Sequence, residues 1–208
     1  MFVSQLKTMP VTLDTNASYI LEDERVLLRP LKPEDVEHLM PFSLNEPELW
    51  RFSLITGYGR ENMENYVGKA LVAQKAGTEY PFIVFDKQAN AYAGLTRFYD
   101  IQLAHKTLQL GYTWYGEQFQ GSGLNRHCKF LLLSFAFDEL GMERVEFRAD
   151  NTNARSLAAM KGIGCTIEGV LRSSYIKADG TRRDSAILSI LKEEWEGGVK
   201  EMLKGKLI

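Results

Sequence analysis

The sequence predicts an α+β fold: a mixed, mostly antiparallel sheet with helices on both faces. Three observations carry this. Alternating apolar segments follow one another across short turns in the middle of the chain, the pattern of antiparallel pairing. Two helical patterns are then inserted between the later strands, which argues for a mixed sheet and against a doubly wound parallel one. Apolar residues make up 45% and charged residues 25% of 208 residues, enough for one well-filled core.

Taken in order, Val26 to Leu31 is strand-like, and Lys32-Pro33-Glu34-Asp35 opens a helix whose acidic residues suit its first turn. The stretch from Asn45 to Tyr58 is aromatic and irregular. Glu61 to Ala76 reads as a helix with Met63, Tyr66, Val67, Ala70 and Leu71 on one face and Gly77 after it. Tyr80 to Phe85 and Tyr92 to Tyr99 are strands joined by a polar turn at Lys87-Gln88-Ala89-Asn90. In Thr107 to Tyr115, Leu108, Leu110, Tyr112 and Trp114 alternate with less apolar residues, as in a half-buried strand. Leu124, Cys128, Leu131, Leu132, Phe135 and Ala136 then fall at helical spacing, with Gly141 as the stop. Val145, Phe147 and Ala149 mark another strand, and Asn151 or Thr152 can cap the helix after it. Cys165 to Ile176 and Arg182 to Leu191 form a hairpin around Asp179-Gly180, and Lys192 to Leu207 a terminal helix weakened by Gly197-Gly198. No linker, low-complexity segment or repeat divides residues 1–208, so a single domain is expected.

The most informative segment is Gln120-Gly121-Ser122-Gly123-Leu124-Asn125, a glycine-rich turn between a strand and a helix. Such a turn leaves free backbone N–H groups at the positive end of a helix dipole, which suits a phosphate. A nucleoside-triphosphate loop would need Lys-Ser or Lys-Thr after the glycines, and none follows. A dinucleotide fingerprint would need a third glycine where Arg126 stands.

What remains resembles the [RQ]-x-x-G-x-[GA] pyrophosphate loop of the GNAT superfamily of N-acetyltransferases, with Asn125 departing at the last position. Leu110-Gly111-Tyr112-Thr113-Trp114 is similar to the fourth strand of that family, and Asp150 to Ser156, continuing to Gly164, resembles its D-x-x-N-x-x-S strand-to-helix unit. Leu28 to Asp35, Glu168 to Arg172 and Gly180-x-Arg182-x-Asp184 resemble the opening and closing elements of the branch of ribosomal-protein N-terminal alanine acetyltransferases (RimJ/RimL-like). The likeness spans roughly residues 25 to 192.

The resemblance implies a sheet splayed between its fourth and fifth strands, with acetyl-coenzyme A in the opening. It places the pantetheine along Thr113, Trp114 and Tyr115 and beside Asn153, and the pyrophosphate over Gln120, Gly121, Ser122, Gly123, Leu124 and Asn125. An amine must lose its proton before it attacks the thioester, and the departing thiolate, with a pKa of about 8.5, must gain one. Ser156 matches the serine of the N-x-x-S unit and is the expected proton donor. The tyrosine many relatives use four residues later is replaced by Met160. A glutamate that often precedes Gly-Tyr is here Gln109, which cannot act as a base at neutral pH. Glu146, Glu117 and Asp184 are the candidate substitutes, and a water chain is the alternative. Trp50, Phe52 and Tyr58 are expected to line the acceptor pocket.

The implied activity is acetyl transfer from acetyl-CoA to a primary amine of a small molecule or a protein N-terminus. The runner-up is an acyl-CoA-binding sensor without catalysis, favoured by Gln109 and Met160. A formal net charge of -2 and a pI near 6.0 give no reason to expect nucleic acid, and no apolar run reaches the length of a membrane span. Met1 to Pro10 lacks a secretory pattern, and Cys128 and Cys165 read as buried thiols, so a cytoplasmic location is expected. His38, His105 and His127 lack metal-like spacing and read as surface or helix-face residues, so no metal is expected. A homodimer is compatible with the resemblance, although sequence alone does not set the oligomeric state.

Overall fold

A computed structural model describes residues 12–177 and 180–207. Met1 to Pro10 and Asp179, on which the secretory and hairpin-turn expectations fell, lie outside them. Eight strands form one sheet: β1 (Leu21–Glu22), β2 (Val26–Pro30), β3 (Tyr80–Asp86), β4 (Ala91–Gln102), β5 (Thr107–Tyr115), β6 (Arg144–Asp150), β7 (Thr166–Ile176) and β8 (Arg182–Leu191). Their spatial order is β1-β2-β3-β4-β5-β6-β8-β7, antiparallel throughout except between β5 and β6. The helices are α1 (Val36–Asn45), α2 (Arg60–Lys75), α3 (Leu124–Ser134) and α4 (Ala154–Gly162). The terminal helix is broken into Lys192–Glu194, a wide turn at Trp195–Val199 and Lys200–Lys204, with Gly198 at φ +145°. The paired glycines thus interrupt the helix rather than merely weaken it.

Both faces of the sheet are covered, and two neighbouring residues of β4 show how. Successive strand residues point to opposite faces. The Arg97 guanidinium lies 4.9 Å from the Tyr66 ring of α2, while Thr96 touches Thr113, to which Lys129 of α3 donates. So α2 packs on one face and α3 on the other. The apolar residues that alternate in the sequence fill these layers: Phe82, Phe98, Leu108 and Leu110 in the sheet, Leu132 and Leu133 on α3, Met63 and Val67 on α2.

Structure corrects the sequence reading at several elements. β1 was not anticipated, because two residues are too short to carry a period. A 3-10 turn at Pro33–Asp35 precedes α1. The cap of α4 is Asn153, whose side chain accepts from the Ser156 N–H at 3.0 Å, and not Asn151 or Thr152. β8 follows β7 in the chain but lies inside the sheet, between β6 and β7, and its Arg183 is buried.

Asp35 anchors the start of α1. Its carboxylate, fully buried, takes Arg29 on both oxygens (2.8 and 2.6 Å) and the Lys32 N–H at 2.8 Å. Asp35→Ala leaves a guanidinium and an N–H without their acceptor, and is expected to cost about 3 kcal/mol in denaturant unfolding. A loss below about 1 kcal/mol would show the pair is not structural.

Candidate active site

β5 and β6 pair at only three positions, Thr107 with Arg144, Leu108 with Val145 and Gln109 with Glu146. Beyond Gln109, β5 stays with β4 as far as Tyr115, and β6 stays with β8 as far as Ser185. The facing edges of Gly111 to Tyr115 and of Phe147 to Asp150 therefore open a wedge. A bulge sharpens it: Leu95 pairs with Trp114 but Arg97 pairs with Gly111, so β5 carries one extra residue. Tyr112, in the bulge, has φ +48°. A bulge leaves its extra residue outside the ladder and bends the strand locally.

The glycine turn sits at the end of β5. Gly121 and Gly123 have φ of +75° and +91°, and Gly123 is the N-cap of α3. The backbone N–H groups of Gly121, Ser122 and Gly123 have no protein acceptor among the described residues, and a Cβ on Gly121 would meet open space. The turn is braced from behind. Gln120 donates to the Tyr115 carbonyl at 2.8 Å, Ser122 Oγ donates to the Phe119 carbonyl at 2.7 Å, and Arg155 of α4 donates to Gln120 Oε1. The Tyr115 hydroxyl donates to Asn125 Oδ1 at 3.2 Å, so Asn125 ties the loop to β5. Three free N–H groups at a helix start form an anion cradle suited to a pyrophosphate.

Across the wedge, the first turn of α4 presents Asn153 and the half-buried Ser156. Asn153 Oδ1 is committed to its cap, which leaves its amide N–H groups to donate. The Ser156 hydroxyl has no partner among the described residues, while Met160 is buried.

At the apex, carboxylates are scarce or engaged. Gln109 is buried and donates to Asp100 at 2.7 Å. Glu146 has one oxygen on Arg144 at 2.9 Å and the other on Arg148 at 2.7 Å. Glu117 is exposed in the turn after β5, and Asp184 accepts from the Ser173 N–H at 2.7 Å to hold a kink at φ +53°. The structure thus brings Glu146 and Gln109 to the wedge and leaves Glu117 and Asp184 in other surroundings.

Of the expected acceptor residues, Trp50 is buried edge-on against Trp114 and Tyr66, at 5.0 and 5.9 Å between ring centroids. Its indole N–H and that of Trp114 are buried without partners. Tyr58 is 49% exposed, and the two line a hollow of about 500 Å³ with Arg51 and Lys177. Phe52 stacks with Arg51 instead. A larger hollow of about 810 Å³ opens beside Ser122, but its walls are already paired: Arg25 with Asp86, and His127 with Asp23 at 2.7 Å. His127 is a helix-face residue, as one of the two expectations had it, but on the buried face: α3 packs the ring against the β1–β2 turn, where it is 2% exposed. With Glu24, these residues are the described group whose metal-capable atoms lie within 4.8 Å of one another, a grouping no sequence spacing announces.

One residue escaped the sequence reading altogether. Lys129, on α3, is 5% exposed and donates to Thr113 Oγ1 at 2.9 Å. A lone lysine on an otherwise apolar helix face gives no signal until the fold shows what it faces.

An antiparallel sheet split at a single parallel pair, with an anion cradle at the mouth of the split, is the arrangement that the sequence resemblance implies for an acyl-CoA-dependent acyltransferase. Residues 25–166 match the Acetyltransferase (GNAT) domain family, and the chain belongs to that family. It is an acetyl-CoA-dependent N-acetyltransferase. A relative from Bacillus subtilis (strain 168), named "putative ribosomal N-acetyltransferase YdaF", is 26% identical over 181 residues, covering 84% of this chain and 96% of its own. The crystal structure of a GCN5-related N-acetyltransferase from Brucella melitensis superposes with a TM-score of 0.84 at 26% identity, over 93% of this chain and 87% of its own. RimL, a ribosomal L7/L12 α-N-protein acetyltransferase, shares the fold with a TM-score of 0.75 at 20% identity, over 88% of this chain and 99% of its own.

Proposed function

We propose that this enzyme acetylates α-amino groups, with protein N-termini as the substrate class. Two guanidiniums on the two oxygens of Glu146, beside a glutamine tied to Asp100, support this most: among the described residues no free carboxylate stands at the apex to deprotonate a strongly basic amine. An α-amino group with a pKa of about 7.7 to 8.0 is partly neutral already and needs only water as the base. A lysine amine with a pKa of about 10.4 is under one part in a thousand neutral at pH 7. Glu146, with its two arginines, then serves to fix the β6 side of the site.

In this reading Gln120 to Asn125 hold the pyrophosphate, the edge from Thr113 to Tyr115 and Asn153 hold the pantetheine, and Trp50 and Tyr58 flank the acceptor, with Phe52 set aside against Arg51. The bulge at Tyr112 offers backbone N–H groups to the oxyanion. The Ser156 hydroxyl gives its proton to the departing sulfur. The relative named for ribosomal acetylation supports a ribosomal-protein terminus as acceptor, with which a cytoplasmic location agrees, and a homodimer is compatible with the exposed edge strand β7. Among the described residues, no helix is long and apolar enough to cross a membrane.

The test is kcat/KM against pH for two peptides, one with a free N-terminus and one blocked there with a single lysine. The free N-terminus should be preferred at pH 7, with a rate that rises toward about pH 8 as the α-amine becomes neutral. A preference for the blocked lysine peptide would overturn the assignment and return Glu146 to the role of base.

A further inference from the structure

Lys129 is a buried cation with no counter-ion among the described residues. Its Nζ reaches Thr113 Oγ1 on β5 and lies 5.9 Å from the Phe147 ring on β6. These are the two strands that part beyond Gln109 and Glu146, so the ammonium sits between them, at the floor of the wedge. The titratable groups that face it are Cys128 on its own helix and Cys165 on the turn before β7, and burial pushes both thiols up to about 12. Neither is an anion at neutral pH. A buried charge without a partner costs stability, and a chain that keeps one has a use for it.

We propose that Lys129 is a catalytic residue, its ammonium stabilising the negative charge on the coenzyme A sulfur as the thioester breaks. The inference rests on acyl-CoA occupying the wedge. As the amine nitrogen bonds to the carbonyl carbon, the carbon–sulfur bond breaks and its electron pair goes to sulfur. The sulfur takes the proton of Ser156, and Ser156 regains one through water from the amine that has just reacted. Lys129 stays charged throughout, and a fixed cation that is itself 5% exposed acts more strongly than one at a surface. Burial lowers its pKa from the ordinary 10.5 to about 8, so this charge is lost as pH rises through 8. Between about pH 8 and 10.5 the unfolded chain holds a proton that the folded chain does not, so folding stability rises with pH there.

Lys129→Met and Lys129→Arg test this in the full-length enzyme. Methionine fills the same slot without charge, so the ligand-free variant should melt higher than wild type while kcat/KM falls about 10²-fold. In wild type kcat/KM should decline above pH 8, Lys129→Met should lack that decline, and Lys129→Arg should move it to higher pH. A merely structural lysine predicts the reverse, a lower melting temperature with unchanged kcat/KM, and either an unchanged rate or a retained decline near pH 8 in Lys129→Met would overturn the proposal. If wild type binds coenzyme A but acetylates no amine, the functional reading itself falls. If it acetylates amines and the Lys129 variants match it, only this inference does.

Discussion

Ser156→Ala is expected to lower kcat by about 10²- to 10⁴-fold, the usual cost of losing one general acid, with little change in acetyl-CoA affinity. The hydroxyl stands on the first turn of α4 with no protein partner among the described residues, and its own N–H is already used by the Asn153 cap. Removing the oxygen therefore leaves the helix start intact, and a folding defect would not account for the loss. The measurement is single-turnover kinetics at saturating acetyl-CoA, paired with calorimetric titration. A loss below tenfold, or one confined to cofactor affinity, would make Ser156 a binding residue. Met160, where the resemblance would lead one to expect a tyrosine, is buried and has no hydroxyl, so the variant has none there to fall back on.

Gly123→Val should abolish measurable binding of coenzyme A and acetyl-CoA. Gly123 caps α3 at φ +91°, a conformation that a β-branched residue does not adopt without strain. Valine would both turn the N–H groups of the cradle away and put methyl groups where an anion must approach. Calorimetry on the folded variant is the test. Affinity equal to wild type would exclude the turn as the phosphate site. Gly121→Ala is the milder control: space beside its Cα is open, so only the φ of +75° resists the change.

Much of this enzyme was legible as sequence because it depends on local rules. Strand alternation in Thr107 to Tyr115, the helical spacing from Leu124 to Ala136 and the glycines between them are each set by neighbours in the chain, and each recurs in the structure within a residue or two. The glycine turn proposed to hold the pyrophosphate is local in the same sense, since its free N–H groups are consecutive. The segment expected to line the acceptor pocket follows no such rule. Trp50 and Tyr58 share a hollow, but Phe52, two residues from Trp50, turns to Arg51, and no periodicity governs an irregular segment.

Charge state and partnership belong to the tertiary structure. Glu146 looks like any strand carboxylate until Arg144 and Arg148, each two residues away on the same face of β6, close on it. His127 looked like a helix-face residue, and its burial depends on Asp23, 104 positions earlier in the chain. Lys129 carries no signature, because what distinguishes it is the absence of an opposite charge around it, a property of space and not of order. The sequence by itself determined most of the elements, their order and the glycine turn between β5 and α3, since these follow from backbone geometry and nearest neighbours. Only the tertiary structure decided which polar groups lost water and which of them found a partner, because desolvation is a property of the packed whole.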